Sequence, residues 1–192
     1  MRADYRVVLD ACVLIPMPLA DTLLRLAEAP RLYLPRWSDL IMEEVTRNLI
    51  AKWGMPVDNA RKREDEIRRS FPEARVEGFQ ALVDVMTNDP GDRHVLAAAV
   101  RAQAELIVTY NRRHFPVDSV QPWEIEVQSP STFLRGLYDL EPGLFVRKLH
   151  EQAEAIGVPL ENVLRSLSKN VPNFIEYFLE EQASGFEGSG SI

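Results

Sequence analysis

The chain is poor in cysteine: Cys12 is the only one in 192 residues. An intrachain disulfide is excluded, and this usage agrees with a reducing compartment. Long apolar runs are also lacking. The first apolar stretch, residues 7–9, follows the charged Asp4 and Arg6. No stretch reaches the ~18–20 apolar residues that a membrane-spanning helix needs. No secretory leader pattern opens the sequence, so a cytoplasmic protein without a membrane association is expected. Positive charge is not in excess either, since 22 Lys and Arg stand against 29 Asp and Glu, a net charge of −7. A nucleic-acid binder usually carries a basic face. Two readings stay open: an acidic surface with no nucleic-acid partner, or negative charge gathered at a metal site and offset there by divalent cations.

What is present suits a globular protein. Hydrophobic residues make up 46% and charged residues 27%, enough to bury a core in one α/β domain, or in one small domain plus an appendage. Residues 5–9 form a β-rich run that is apolar to its end at Asp10, as in a strand buried on both faces of a parallel sheet. Pro16 and Pro18 then break the chain, and leucines at 23, 24 and 26 predict a helix over 21–29. Residues 32–34 read as a short strand closed by Pro35. Ser38 is a plausible N-cap for a helix over 38–53, where Leu40, Ile41, Val45, Leu49 and Ile50 recur at helical spacing. A highly charged helix is expected over 59–71. Residues 79–86 are ambiguous in period, residues 88–92 form a turn, and an alanine-rich helix follows over 92–104. Residues 106–109 and 125–127 read as further strands.

Strand and helix thus alternate with short connections, which implies a parallel sheet with helices on both faces. After residue 130 the pattern is helical only, with candidates at 131–138, 142–156, 160–169 and 173–182. We therefore expect a first domain over 1–130, a helical domain over 131–183, and a disordered tail over 184–192, which is rich in Gly and Ser.

In such a sheet, ligands bind beyond the C-terminal ends of the strands. Asp10 ends the first strand and Asn111 lies just past another. Asp92 opens the helix before that strand, and Glu44 lies within a helix. The fold can bring these distant positions to one edge. Carboxylates ~4 Å apart repel by about 4 kcal/mol at an effective dielectric near 20. An acidic group of this kind therefore calls for a cation or raised pKa values. Hard cations such as Mg²⁺ or Mn²⁺ accept oxygen ligands and serve phosphodiester hydrolysis. Each residue also has a plain reading. Asp10 and Asp92 could be turn or cap residues, Asp89 could close its turn, and Asn111 could be a turn residue. Glu43 and Glu44 project about 100° apart on their helix, and either could be solvated.

Four segments in order carry a resemblance: Val8-Leu9-Asp10-Ala11-Cys12-Val13-Leu14, Ser38 followed by Glu44-Val45, Asp89-Pro90-Gly91-Asp92 with the residues through Ala99, and Ile107-Val108-Thr109-Tyr110-Asn111 with the residues through Pro116. Together they resemble the motifs of PIN domains over roughly residues 5–130. The resemblance implies a three-layer α/β/α sandwich with a central parallel sheet, here plus a C-terminal all-helical extension similar to that of longer VapC-like members. It further implies Mg²⁺- or Mn²⁺-dependent endoribonuclease activity through an activated water. Many bacterial members are VapC toxins held by a VapB-like antitoxin, so RNA, a cognate antitoxin and a second copy in a homodimer are the implied partners. Carried over, Asp10, Glu44 and Asp92 match the acidic metal-site positions. Asn111 stands where many members have a fourth aspartate, and His114 stands where related members often carry an aspartate. Asp89 or Asp118 could supply the missing charge. Arg112 and Arg113, just beyond, are candidates for phosphate contacts.

Two other classes are weighed. A catalytically silent PIN-like module that binds RNA or protein would accommodate the neutral Asn111. A haloacid-dehalogenase-type phosphatase would need an aspartate where Cys12 stands, and a response-regulator receiver would need a lysine near residues 109–116, where there is none.

Overall fold

The apolar runs become strands of one parallel sheet. The computed structural model describes residues 4–187. Its strands are β1 (Arg6–Leu9), β2 (Leu34–Ser38), β3 (Arg75–Val76), β4 (Leu106–Val108) and β5 (Glu126–Gln128). They pair in the order β3-β2-β1-β4-β5, parallel throughout. Parallel neighbours need crossovers, and helices supply them. The connections are α1 (Ala11–Leu14) and α2 (Met17–Ala27) after β1, and α3 (Asp39–Ala51) and α4 (Val57–Ser70) after β2. They continue with α5 (Gln80–Val83) and α6 (Arg93–Ala102) after β3, and α7 (Val117–Val120) after β4. Successive strand residues face opposite sides of a sheet, yet Val7, Val8 and Leu9 are all fully buried. Both faces are therefore covered, as expected for an α/β/α sandwich.

The chain runs outward from β1 to β3 on one side of the sheet and then re-enters on the other side through β4. The connections after β1 and after β4 consequently diverge. A crevice opens beyond the C-terminal ends of these two strands, the usual place for a ligand in an open α/β sheet.

Prolines caused the main misreadings of local structure. Pro35 does not close β2 but lies within it, opposite Val7. The Leu34 N–H donates to the Tyr5 carbonyl of the β1 side at 2.7 Å, so the next amide position faces the β3 side. There, pairing begins only at Trp37, and the N–H that proline lacks is not needed. Pro18 likewise does not break the chain. It occupies the first turn of α2, where no N–H is required. The ambiguous 79–86 segment contains the short helix α5, while the two-residue strand β3 and the four-residue α1 are too short to leave a periodicity in the sequence.

Beyond residue 130 lie α8 (Pro130–Leu140), α9 (Pro142–Ala155), α10 (Leu160–Leu167) and α11 (Pro172–Glu187). Pro130, Pro142 and Pro172 each begin a helix. Buried contacts cross residue 130. The Thr22 hydroxyl donates to Gln152 Oε1 at 2.7 Å, and the Tyr33 ring meets the edge of Phe133 at 5.0 Å between centroids. Within the extension, Tyr138, Phe145, Phe174 and Phe178 form an aromatic cluster. Helix α11 continues to Glu187, so the expected tail begins inside it, and residues 188–192 lie outside the described residues. Among the described residues no helix is long and apolar enough to cross a membrane.

Candidate active site

Asp10 leaves β1 at the centre of the crevice. Its N–H donates to the Val108 carbonyl of β4 at 3.1 Å, which continues the sheet one residue past the strand. The residue precedes α1 in extended conformation, but its side chain makes no cap bond. Instead Oδ2 accepts the Thr109 hydroxyl at 2.6 Å and the Cys12 thiol at 3.1 Å. Oδ1 takes no hydrogen bond among the described residues. Asp10 is only 3% exposed. Burial first, and then the charge of Asp10, pushes the Cys12 thiol up to about 12. It stays protonated as a donor and is no nucleophile.

The loop after β4 is fixed from below. The fully buried Thr109 accepts the Asn111 N–H on its hydroxyl at 2.9 Å, and the Tyr110 N–H donates to Cys12 Sγ at 3.3 Å. From above, the Tyr110 hydroxyl donates to the Asn170 carbonyl between α10 and α11 at 3.0 Å. The helical extension therefore touches the loop that carries Thr109 and Asn111.

Glu44 arrives on α3. Ser38 caps that helix, its Oγ accepting the Ile41 N–H at 3.3 Å. Ile41, Met42, Val45 and Leu49 anchor the helix in the core. Of the adjacent pair, Glu43 is exposed and Glu44 is half-buried toward the crevice. Its Oε2 lies 4.0 Å from His94 Nε2 of α6.

Asp92 is the N-cap residue of α6, but its side chain makes no cap bond. Its Oδ2 lies 2.5 Å from Nδ1 of His114. Asp89 does close its turn, with Oδ1 accepting the Gly91 N–H at 2.9 Å. The Asp89 N–H also donates to the His114 carbonyl at 3.0 Å, and the His114 N–H donates to the Asn111 carbonyl at 2.8 Å.

The acids act on one another. Burial raises the Glu44 pKa, and the charges of Asp10 and Asp92 add to it, against His94 and Arg47. Burial also raises Asp92, opposed by its bond to His114 and reinforced by Asp10 and Asp89. Among the described residues, no Lys or Arg forms an ion pair with Asp10, Glu44, Asp89 or Asp92. Donor atoms of Asp89, Asp92 and His114 all lie within 4.8 Å of one another. Carboxylates in mutual repulsion, with no Lys or Arg ion pair, are a fitting donor set for a divalent cation.

Asp10, Glu44 and Asp92 lie near enough to feel one another's charge, whereas the close donor group is Asp89, Asp92 and His114 and includes neither Asp10 nor Glu44. Asp118 is exposed on α7, outside the acidic group. Asn111 is half-buried beside the site. Arg112 and Arg113 are exposed on the following turn and line an open concavity of about 980 Å³ with Val117, Val120 and Ile125. Thr109, His94 and the partnership of His114 with Asp92 were missed in the sequence. The one usable signal was Thr109, the last residue of an otherwise apolar strand.

A family model described as "PIN domain" matches residues 6–113. A 100-residue stretch is 49% identical to "Putative ribonuclease VapC50" of Mycobacterium tuberculosis, and the match covers 50% of this chain and 59% of that relative's length. No solved structure matches the chain.

Proposed function

The chain belongs to the PIN domain family, and from that premise we propose that it is a Mg²⁺- or Mn²⁺-dependent endoribonuclease, the toxin of a VapBC-type toxin–antitoxin pair. The observation that supports this reading is that Asp10, Glu44 and Asp92 act on one another's charge while none of them forms an ion pair with Lys or Arg among the described residues. The name of the mycobacterial relative supports the RNA substrate and the toxin role.

Asp10, Glu44 and Asp92 would hold the cation. A hard divalent ion there supplies phosphate-charge neutralisation and acidifies water. Thr109 and Cys12 fix Asp10 so that Oδ1 stays aimed away from its protein donors. Asn111, pinned through its backbone to Thr109, orients water with its amide. Arg112 and Arg113 bind backbone phosphates on the RNA leading away from the cut, which positions the strand without reading its sequence. The toxin reading brings a cognate antitoxin and a homodimer as partners, and a cytoplasmic place of action.

The test is cleavage of total RNA by the purified chain. Mn²⁺ should support cutting, EDTA should stop it, and Asp10→Asn should abolish it. Cleavage by Asp10→Asn at the wild-type rate would overturn the mechanism. The neutral Asn111 favours a second reading, a silent PIN-like RNA- or protein-binding module. That module would show no tight Mn²⁺ site in calorimetry and no cleavage.

A further inference from the structure

We propose that His114 is itself a ligand of the cation, so that the site mixes an imidazole nitrogen with carboxylate oxygens and favours first-row transition ions over Mg²⁺. This rests on the divalent-cation reading above and concerns which ion the chain selects.

Three observations carry it. Nδ1 of His114 faces Asp92 Oδ2 at 2.5 Å, and the ring belongs to the one group of metal-capable side chains found among the described residues, with Asp89 and Asp92. The ring is also held there by its own backbone. The His114 N–H is tied to Asn111, its carbonyl to the Asp89 N–H, and the next residue, Phe115, is 4% exposed in the core. The backbone from which the ring reaches Asp92 is thus fixed on both sides. Finally, the second nitrogen is not committed to a strong partner. Nε2 only accepts the Arg113 Nε–H, at 3.4 Å, the long limit of a hydrogen bond. A neutral imidazole can carry its hydrogen on Nε2 and present the Nδ1 lone pair, or the reverse.

The consequence follows from ligand chemistry. Mg²⁺ wants oxygen ligands in near-ideal octahedral geometry. Imidazole suits Fe, Ni and Zn, and affinity at nitrogen-containing sites rises along the first-row series from Mn²⁺. A neutral nitrogen in place of a further carboxylate also removes one negative charge, which costs the hard ion more than the softer ones. His94 is the natural control: it lies 4.0 Å from Glu44 but outside the Asp89–Asp92–His114 group.

The experiment is Mn²⁺ binding to the full chain, read by calorimetry and by pulsed EPR of the bound ion. The expected result is a ¹⁴N coupling in wild type that persists in His94→Asn and disappears in His114→Asp. Calorimetry with Ni²⁺ and Mg²⁺ should show that His114→Asp lowers the Ni²⁺-over-Mg²⁺ preference by roughly tenfold or more, the lower end of what supporting residues contribute to metal sites. Mn²⁺ binding without ¹⁴N coupling in wild type overturns the assignment of His114 and leaves the nuclease reading standing. Coupling that survives in His114→Asp and disappears in His94→Asn overturns it as well. No Mn²⁺ binding at all overturns both. The wild-type spectrum decides the matter even where a variant folds poorly.

Discussion

Asp10 and Thr109 each follow the last residue of neighbouring parallel strands, and the Thr109 hydroxyl bridges them by donating to Asp10 Oδ2 at 2.6 Å. The Thr109 hydroxyl oxygen also accepts the Asn111 N–H. One buried hydroxyl therefore connects the acid at the centre of the crevice to the loop beyond β4. Thr109→Val keeps the shape and removes the hydroxyl. Asp10 Oδ2 would be left with the Cys12 thiol, a weak donor, and the Asn111 N–H with none. Leaving buried polar groups unpaired costs about 1–3 kcal/mol. Urea unfolding should show a loss of that size, together with slower cleavage in Mn²⁺. Unchanged stability and rate would show that the bridge contributes nothing.

The raised carboxyls make a prediction about pH. Glu44 is raised by burial and by its acidic neighbours, so its proton is held more tightly in the folded chain than in the unfolded one. The stability that this proton brings is present below the ordinary Glu range and is lost as pH rises through the raised value. Glu44→Gln mimics the protonated form at every pH. In EDTA, variant and wild type should melt together at low pH. Toward neutral pH the variant should melt at the higher temperature. The variant should also bind Mn²⁺ poorly, a gain of stability at the expense of function. A wild type that melts higher than Glu44→Gln at pH 7 in EDTA would contradict the repulsion argument.

Arg112 gives a prediction in salt. It is exposed beside the concavity and makes no ion pair among the described residues. If it holds one phosphate of single-stranded RNA, Arg112→Ala should flatten the plot of log affinity against log salt by about 0.7. Binding to catalytically dead Asp10→Asn, followed by fluorescence anisotropy over a salt series, measures this. An unaltered slope removes Arg112 from the RNA path.

The helical extension can be tested as part of the same folding unit. Gln152 is 2% exposed, accepts the Thr22 hydroxyl and donates to the Pro18 carbonyl at 3.0 Å. All three tryptophans, Trp37, Trp53 and Trp123, precede residue 130. Their fluorescence reports the sheet-containing part, and far-ultraviolet circular dichroism reports the helices as well. Gln152→Ala should cost roughly 2–3 kcal/mol from lost packing and hydrogen bonding. It should move both signals to the same lower midpoint. A shift in dichroism alone would mark residues 131–183 as an independent unit.

The sequence was most readable where one physical demand dominated. Burial on both faces wrote β1 and β4 as unbroken apolar runs, and a single core-facing stripe wrote α3 and α6 at helical spacing. Asp10, Glu44 and Asp92 stood out only in combination, through the ordered segments that resemble PIN-domain motifs, since each taken singly has an ordinary turn, cap or solvated reading. Pro35 was misread because its tolerance depends on which neighbour its amide position faces, a property of the register and not of the residue. The strand β3 has two residues and leaves no periodicity. Thr109 and His114 were hidden for another reason. A threonine closing a strand and a histidine in a turn are ordinary, and their significance lies in contacts with Asp10 and Asp92, across 99 and 22 residues of chain.

The 130-residue separation of Thr22 and Gln152 also sets a timetable for synthesis. At ~5–20 residues per second, α2 leaves the ribosome many seconds before the α9 residues that cover it. Buried leucines such as Leu19, Leu23 and Leu26 need some temporary cover in that interval. The acids ripen on a similar schedule: Asp10 emerges first, but the crevice closes around it only when β4 pairs with β1 and His114 reaches Asp92. A ribosome stalled before that point carries a chain whose acidic site is not yet assembled. The strand order therefore delays that site until most of the protein that bears it has been made.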